Sequence, residues 1–290
     1  MGIKNPLRYP GAKSKLYGYM YNLLNAEGKR GCTFYEPFAG SAALSLMLLE
    51  NNVIQKAVIN ELDPLLYYFW HSVFFETNDL VHLIETTPIT LESWNNISQY
   101  REDDFIVDKS PVEIGFAGLF LNRTNYSGIL KANPLGGIRQ ESEYKINCRF
   151  NRERVIDSIR QISAFRDRIE VFNLDAIEFM KKQLRYKRNN NIFVYIDPPY
   201  YLEGPGLYRC FYNRGQHERL AKFILKKNYP WLISYDDVEE IRKIYSRFAP
   251  ISIYMDYSVH TSKKGKELLI SNLKIPPMEQ QDLKTLENIS

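Results

Sequence analysis

The feature that most constrains this chain is a regular alternation of short apolar segments with helical patterns. The apolar segments are rich in β-branched and aromatic residues, and most of them are followed by a stretch with helical spacing. Such alternation predicts an open, mostly parallel α/β sheet, because parallel strands need a crossover connection between them. The predicted strands span residues 33–38, 57–61, 168–174, 192–196, 231–235, 251–257 and 267–273, and the predicted helices include 41–50, 176–184, 216–227 and 238–248.

The alternation stops between residues 70 and 155, where helical patterns and a polar, basic stretch rich in glycine and asparagine replace the strands. Loops of that length are uncommon in compact domains unless they bind something, so this region is predicted to be an inserted, mostly helical domain. The predicted organisation is a first part of the main domain at 1–69, the insert at 70–155, a second part at 156–275 and a flexible tail at 276–290.

Composition limits the classes of protein that remain. A net charge of +4 and a pI near 8.7 suit a polyanionic partner without requiring one. The chain has neither a long apolar run nor an apolar leader, which predicts a cytoplasmic protein with no membrane span. Cys32, Cys148 and Cys210 lie far apart, so neither a disulfide framework nor a metal site is expected.

A tight turn of small residues follows the first strand, in the sequence YEPFAGSAAL. Gly40 and Ser41 precede a predicted helix whose amides a ligand can approach closely, although Ala42 stands where a second glycine is expected. Glu61 lies about 20 residues further on, where a carboxylate can accept hydrogen bonds from a ribose. The alternative is an ordinary strand-to-helix junction with a carboxylate as helix cap, a role that fits Asp63 better than Glu61.

The sequence NIFVYIDPPYYLEG ends a strand on a carboxylate, two prolines and an aromatic ring. The prolines lack amide donors and restrict the backbone, so a stiff carbonyl at Pro198 and the Asp197 carboxylate can both accept from one amino group. Tyr200 could stack on the ring that carries that amine. The alternative is that Pro198 and Pro199 merely form a rigid turn.

These motifs resemble the Dam-like (class alpha) DNA adenine methyltransferases, which transfer a methyl group from S-adenosyl-L-methionine to the N6 amine of adenine. The resemblance covers nearly the whole chain and implies a Rossmann-like methyltransferase sheet with an inserted target-recognition domain. It also implies an adenine-specific enzyme that acts on double-stranded DNA, with a possible cognate restriction endonuclease as partner. The matching motifs, in the family's order, are RYPGAKSKL, YEPFAGSAA, INELDPLL, LNRTNYSG, YIDPPYYLEGPGLY, LISYDD and GKELLISN.

The resemblance also implies roles for individual residues. Lys13 would pair with the methionine carboxylate of the cofactor, Glu61 would hold its ribose and Asp175 would meet its adenine. The implied cofactor contacts are Tyr9, Lys13, Glu36, Phe38, Gly40, Ser41, Glu61, Asp175 and Asp197; the implied catalytic residues are Asp197, Pro198, Pro199 and Tyr200; the implied DNA contacts are Arg8, Asn122, Arg123, Tyr126, Ser127 and Gly128.

Several alternatives stay open at this point. The same two acceptors could serve the N4 amine of cytosine or an RNA base, and a non-catalytic DNA-binding relative could keep the fold. Arg149, Arg152 and Arg154 read as the basic start of a helix or as phosphate contacts. His217 is expected in the first turn of a helix, without a catalytic role. The chain has no Pro-Cys nucleophile motif, which argues against cytosine-C5 chemistry.

Overall fold

A computed structural model describes residues 2–8, 13–185, 191–259 and 261–275. Its strands form one seven-stranded sheet, mostly parallel, in the order β3-β2-β1-β4-β5-β7-β6. This confirms the predicted Rossmann-like α/β class. The strands are β1 (Thr33–Glu36), β2 (Lys56–Asn60), β3 (Ile169–Phe172), β4 (Ile192–Ile196), β5 (Trp231–Asp236), β6 (Ile251–Val259) and β7 (Thr261–Ser271).

The centre of the sheet is formed by strands that are buried on both faces. Every residue of β4 is buried, as expected for a strand covered by helices on either side. Strand β1 pairs in parallel with both β2 and β4, and β4 pairs in parallel with β5. The strand order therefore reverses at β1 and β4, and open α/β sheets bind ligands beside the carboxyl ends of such strands.

The chain divides into two compact units. The first unit comprises Met1–Gly2, Gly11–Asn60 and Leu174–Ser290, and the second comprises Ile3–Pro10 and Glu61–Asn173. Predicted residues Tyr9 and Ala12 and the predicted tail lie outside the described residues.

The helices of the first unit are α1 (Tyr17–Ala26), α2 (Ala43–Glu50), α9 (Ala176–Gln183), α10 (Gly204–Leu207), α11 (Arg214–Ile224) and α12 (Glu239–Ile244). Those of the second are α3 (Pro64–Phe75), α4 (Thr77–Thr86), α5 (Leu91–Ser98), α6 (Asp103–Ile106), α7 (Pro111–Thr124) and α8 (Arg152–Ser163).

The second unit is mostly helical and extends beyond residues 70–155 at both ends, because α3 packs on α7 and α8 continues past residue 155. Two glycines of α7 let the helix backbones approach closely. A Cβ atom at Gly115 would lie 2.4 Å from the Tyr68 carbonyl oxygen, and one at Gly118 would lie 2.3 Å from that of Leu65. None of the helices in the described ranges is long and apolar enough to cross a bilayer.

Local capping interactions explain where several helices begin. Asp63 caps α3 by accepting from the Leu65 amide at 3.0 Å, which confirms its reading as the helix cap. Helix α11 begins at Arg214, two residues before the prediction, because Asn213 and Gln216 form a reciprocal capping box. The predicted helix at 238–248 is instead α12 followed by a separate 3₁₀ turn.

We expect Gly118→Ala to lower the free energy of unfolding by about 1–3 kcal/mol, because the added methyl group meets the backbone of α3. The destabilising clash with α3 should outweigh the gain in helix propensity of about 1 kcal/mol that alanine has over glycine. Urea unfolding measures the difference. Gly206→Ala is the matched control, since a Cβ there meets nothing within 4 Å. Equal stabilities of the two variants would contradict the close packing of α3 on α7.

Candidate active site

Asp197 is the first residue after β4 and its carboxylate is held from one side. Its Oδ1 atom accepts hydrogen bonds from the Ser234 hydroxyl at 2.7 Å and from the Lys13 ammonium at 3.0 Å. Among the described residues none donates to Oδ2, and the side chain is 19% exposed. One oxygen is therefore fixed by the protein, while the other can accept a hydrogen bond from a ligand.

The backbone that follows Asp197 is pinned at the end of the neighbouring strand. The Asp236 carboxylate, at the end of β5, accepts from the amides of Tyr201 at 2.8 Å and Leu202 at 3.1 Å. The Pro198 carbonyl accepts no hydrogen bond within the described ranges. This carbonyl is therefore available as an acceptor next to Asp197 in the chain, and its role toward an amine stays a prediction.

Lys13 lies at the centre of a buried cluster of polar groups. Its side chain is 5% exposed, and its Nζ atom lies 3.0 Å from Asp197 Oδ1, 3.3 Å from Glu267 Oε1 and 3.3 Å from the Tyr200 hydroxyl oxygen. Burial alone would lower the pKa of Lys13, but the nearby charges of Asp197 and Glu267 outweigh it and hold the pKa well above its usual value. Lys13 is therefore a cation at neutral pH. This geometry shows that Lys13 holds Asp197. Its predicted contact with a cofactor carboxylate stays a prediction.

Tyr200 is anchored by its hydroxyl group. The hydroxyl donates to Glu267 Oε1 at 2.7 Å, and the Lys13 ammonium lies 5.1 Å from the ring centroid. Burial raises the pKa of Tyr200, so the side chain is a neutral phenol. The ring of Tyr208 packs edge-on against it with centroids 6.5 Å apart. Neither Glu267 nor Tyr208 was singled out from the sequence, although both lie within the quoted motifs GKELLISN and YIDPPYYLEGPGLY.

The turn after β1 is tight and partly strained. Gly40 and Ala42 both adopt the left-handed backbone region, with φ of +49° and +48°, and α2 begins at the next residue. For alanine this conformation costs about 1–2 kcal/mol. The alanine that stands in place of a glycine therefore keeps the backbone of a glycine turn. At its base, the carboxylate of Glu36 accepts a hydrogen bond from Ser45 on α2.

An aromatic pair joins this turn to the start of α9. Phe38 and Tyr212 meet edge to face with centroids 5.4 Å apart, and the Tyr212 hydroxyl lies 3.5 Å from Asp175 Oδ2. Asp175 Oδ1 also caps α9 through the amides of Ile177 and Glu178. Sequence reasoning missed Tyr212, because nothing in its neighbourhood marks it as a partner of Phe38.

Glu61 belongs to the second unit and is buried there. Its Oε1 atom accepts from the Asp63 amide at 2.9 Å, and its backbone carbonyl accepts from the Asn173 amide group at 2.7 Å. The carboxylate is thus held next to the capped start of α3. Its contact with a ribose stays a prediction.

Within the second unit, Asn122 holds the N-terminal segment in place. Its Oδ1 atom accepts from the Arg8 amide at 2.7 Å, and its Nδ2 atom donates to the carbonyls of Arg8 and Gly128 at 2.8 and 2.9 Å. The side chain is 1% exposed, so Asn122 acts inside the protein. Gly128 has a φ of +75°, and a Cβ atom there would lie 2.1 Å from the Arg8 carbonyl oxygen.

Three arginines form a cationic cluster in the same unit. Burial and then the charges of Arg8 and Arg149 lower the pKa of Arg123 to about 10, and burial and Arg149 lower the pKa of Arg8. Arg8 Nη1 and Arg123 Nε are buried and lack hydrogen-bond partners among the described residues. No described carboxylate pairs with this cluster, which we call the arginine cluster, so its chemistry suits an anion. Near it along the chain, Tyr126 is exposed and Ser127 adopts a left-handed backbone.

Comparison with known proteins identifies the family. A family model described as D12 class N6 adenine-specific DNA methyltransferase matches residues 9–259, and the chain therefore belongs to that family. It is an enzyme that methylates adenine in DNA, with a methyl donor as its second substrate.

Two relatives are named type II methyltransferases. The chain is 24% identical over 247 residues to the type II methyltransferase M.MjaIII of Methanocaldococcus jannaschii, covering 78% of this chain and 81% of that one. It is also 24% identical over 265 residues to the type II methyltransferase M.CviBI of Paramecium bursaria Chlorella virus NC1A, covering 84% and 88%. A solved structure of an uncharacterized protein from Listeria monocytogenes serotype 4b matches with a TM-score of 0.36 and 8% identity over 93% of this chain and 76% of that one.

We expect Gly128→Ala to weaken DNA binding and to lower stability more than Gly137→Ala does. Both glycines have left-handed backbones, which costs an alanine about 1–2 kcal/mol. Only at Gly128 does the new methyl group also meet the Arg8 backbone, since a Cβ at Gly137 meets nothing within 4 Å. Urea unfolding and the fluorescence anisotropy of a labelled duplex measure the two effects. Matching behaviour of the two variants would show that the contact with Arg8 is unimportant.

Proposed function

We propose that the methyl donor is S-adenosyl-L-methionine and that the acceptor is an adenine turned out of double-stranded DNA. The carrying observation is the pair of acceptors after β4. Asp197 has one oxygen fixed by Lys13 and Ser234 and the other available, and the stiff Pro198 carbonyl lies beside it in the chain. Two acceptors on one amine match an exocyclic NH₂ group.

These acceptors prepare the amine for transfer. By accepting both N–H hydrogens, Asp197 and Pro198 favour a pyramidal nitrogen whose lone pair is free to attack. The donor would supply an electrophilic methyl group on a sulfonium. An N–C bond would form as the C–S bond breaks, and the methylated amine, which is itself acidic, would release one proton to water. Alignment of two reactants can contribute about 7–11 kcal/mol, more than a single hydrogen bond contributes. No strong general base is required.

Tyr200 would hold the extruded base. Stacking of a base on an aromatic ring contributes about 1–3 kcal/mol, comparable with the few kcal/mol that extrusion costs. The anchored hydroxyl supports this role, because a ring fixed at one end loses little further freedom when a base stacks on it.

The residues at the β1 turn fit the cofactor. The left-handed turn at Gly40 leads into the amino end of α2, whose amides suit a carboxylate, and Ser41 lies within this turn. Phe38 contacts Tyr212, whose hydroxyl lies next to Asp175. An apolar ring and a carboxylate linked in this way suit a purine, which has an apolar face and a polar edge. Glu36, Glu61 and Tyr9 stay proposed contacts from the resemblance.

We expect Asp197→Ala to abolish methyl transfer while S-adenosyl-L-methionine still binds within severalfold of the wild-type affinity. Transfer of a labelled methyl group to unmethylated plasmid DNA and isothermal calorimetry measure the two quantities. Asp157→Ala, at an exposed position on α8, is the matched control. Long-read sequencing of the methylated plasmid identifies the modified base and its sequence context. Robust transfer by Asp197→Ala, or label on cytosine, would overturn the proposal.

The arginine cluster supports DNA contact through the phosphate backbone. The guanidinium groups of Arg8 and Arg123 are partly buried, lack carboxylate partners among the described residues and repel one another, and an anion would relieve that repulsion. Arg8 and Arg123 are therefore proposed phosphate contacts, together with Arg149. Asn122 and Gly128 would act indirectly by placing Arg8, whereas Tyr126 is exposed enough to meet DNA itself.

We expect Arg123→Met to raise stability and to weaken DNA binding. At pH 7 Arg123 is charged in both states, and its lowered pKa means that folding makes that charge less favourable. A neutral side chain of similar length removes this penalty. The slope of log affinity against log salt should become shallower by about one. Arg160→Met, at an exposed position of α8, is the control. A less stable variant with an unchanged salt slope would contradict the repulsion.

The relatives are named type II methyltransferases, which supports a cognate restriction endonuclease as partner. A cytoplasmic location is part of the same proposal, because both enzymes would need access to the DNA of the cell. DNA methylated by this protein should then resist an endonuclease from the same cells. Cutting of methylated and unmethylated DNA alike would argue against the pairing.

A further inference from the structure

Glu267 is a buried carboxylate beside the candidate active site that the mechanism above does not use. It lies on β7, which runs antiparallel to β5 and pairs Glu267 with Asp236 at the end of that strand. The residue is 2% exposed. Its Oε1 atom lies 2.7 Å from the Tyr200 hydroxyl and 3.3 Å from the Lys13 ammonium. Glu267 therefore contacts the Lys13 ammonium, which is paired with Asp197, and the hydroxyl of Tyr200, the proposed stacking ring.

Stability alone does not explain this carboxylate. Its second oxygen, Oε2, is buried and accepts no hydrogen bond in the described part of the chain. A buried polar atom without a partner lowers stability, and buried ion pairs are often no better for stability than apolar residues of similar volume. Burial also raises the pKa of Glu267, against the opposing effect of the Lys13 charge. A role in the reaction accounts for a group that the fold itself does not require.

We propose that Glu267 is a positioning residue for methyl transfer, because its Oε1 atom holds the Lys13 ammonium and the Tyr200 hydroxyl in place. This inference rests on the proposed roles of Asp197 and Tyr200.

The geometry gives each contact a task. The Tyr200 ring is attached to the backbone at one end, and Glu267 fixes its hydroxyl at the other, so the plane on which a base would stack is set in advance. Lys13 lies between Asp197 and Glu267, and the second carboxylate limits how far the ammonium can move from the first. Asp197 Oδ1 thus keeps its orientation, and Oδ2 stays available to accept from the proposed amine.

The test uses Glu267→Gln, which keeps the shape of the side chain and removes its charge. A matched charge control is Glu239→Gln, on the exposed face of α12. Tyr200→Phe removes only the anchored hydroxyl, and Tyr229→Phe is its control, since the Tyr229 hydroxyl is buried without a partner among the described residues. The readouts are single-turnover methylation of unmethylated plasmid DNA, calorimetric binding of S-adenosyl-L-methionine and the unfolding midpoint.

We expect the single-turnover rate of Glu267→Gln at saturating substrates to fall by roughly 10-fold to 100-fold, as small misplacements in an active site do. Cofactor affinity should stay within severalfold, and the unfolding midpoint should not fall. Tyr200→Phe should also be slower, and the double variant should be no slower than the slower single variant, because both changes disrupt one unit.

Three outcomes would overturn the inference: a wild-type rate for Glu267→Gln, a rate loss that follows a lower unfolding midpoint, or rate effects that multiply in the double variant. Failure of the proposed function looks different. In that case the wild-type protein itself would transfer no methyl group to adenine from S-adenosyl-L-methionine, whereas an active wild type, an inactive Asp197→Ala and a fully active Glu267→Gln would reject only the role of Glu267.

Discussion

The ion pair between Lys13 and Asp197 is the interaction on which the candidate site depends. Both charges are largely removed from water, and the orientation of such a pair is set by the hydrogen bonds that its remaining donors and acceptors make. Ser234, Tyr200 and Glu267 provide these bonds from β5, from the segment after β4 and from β7. The orientation of the proposed catalytic carboxylate is therefore fixed by parts of the first unit that are remote in sequence.

Several features of this protein lower stability where they serve a proposed function. Ala42 adopts a left-handed backbone at the β1 turn, the guanidinium of Arg123 is buried beside other cations, and Glu267 keeps an oxygen without a partner in the described residues. Strain and unpaired groups tend to occur where ligands bind, because an approaching ligand can offset them. The three positions lie in three parts of the sequence, and each adjoins residues that the family resemblance connects with cofactor, base or DNA.

Sequence reasoning predicted the strands well and the partners of side chains poorly. Strands β1 and β4, which precede Gly40 and Asp197, were predicted because apolar runs and turn residues are local signals. Helix ends shifted where a cap such as Asn213 decided them. The resemblance implies that Lys13 contacts the cofactor, which stays a prediction, and the structure adds an ion pair between its ammonium and Asp197. No local pattern could have shown this ion pair, since Lys13 and Asp197 meet only when the end of β4 packs beside the segment that begins at Lys13.

Local signals in the sequence suffice to predict the α/β class, the glycine-like turn and the stiff Asp-Pro-Pro-Tyr segment, and its motifs indicate an adenine methyltransferase family. Each of these follows from backbone preferences or motifs within a few residues. Only the tertiary structure decided that Glu267 anchors Tyr200, that Tyr212 meets Phe38 and that Asn122 is buried under Arg8. The physical reason is that hydrogen bonds and ion pairs form between groups brought together by packing, and their partners are far apart along the chain.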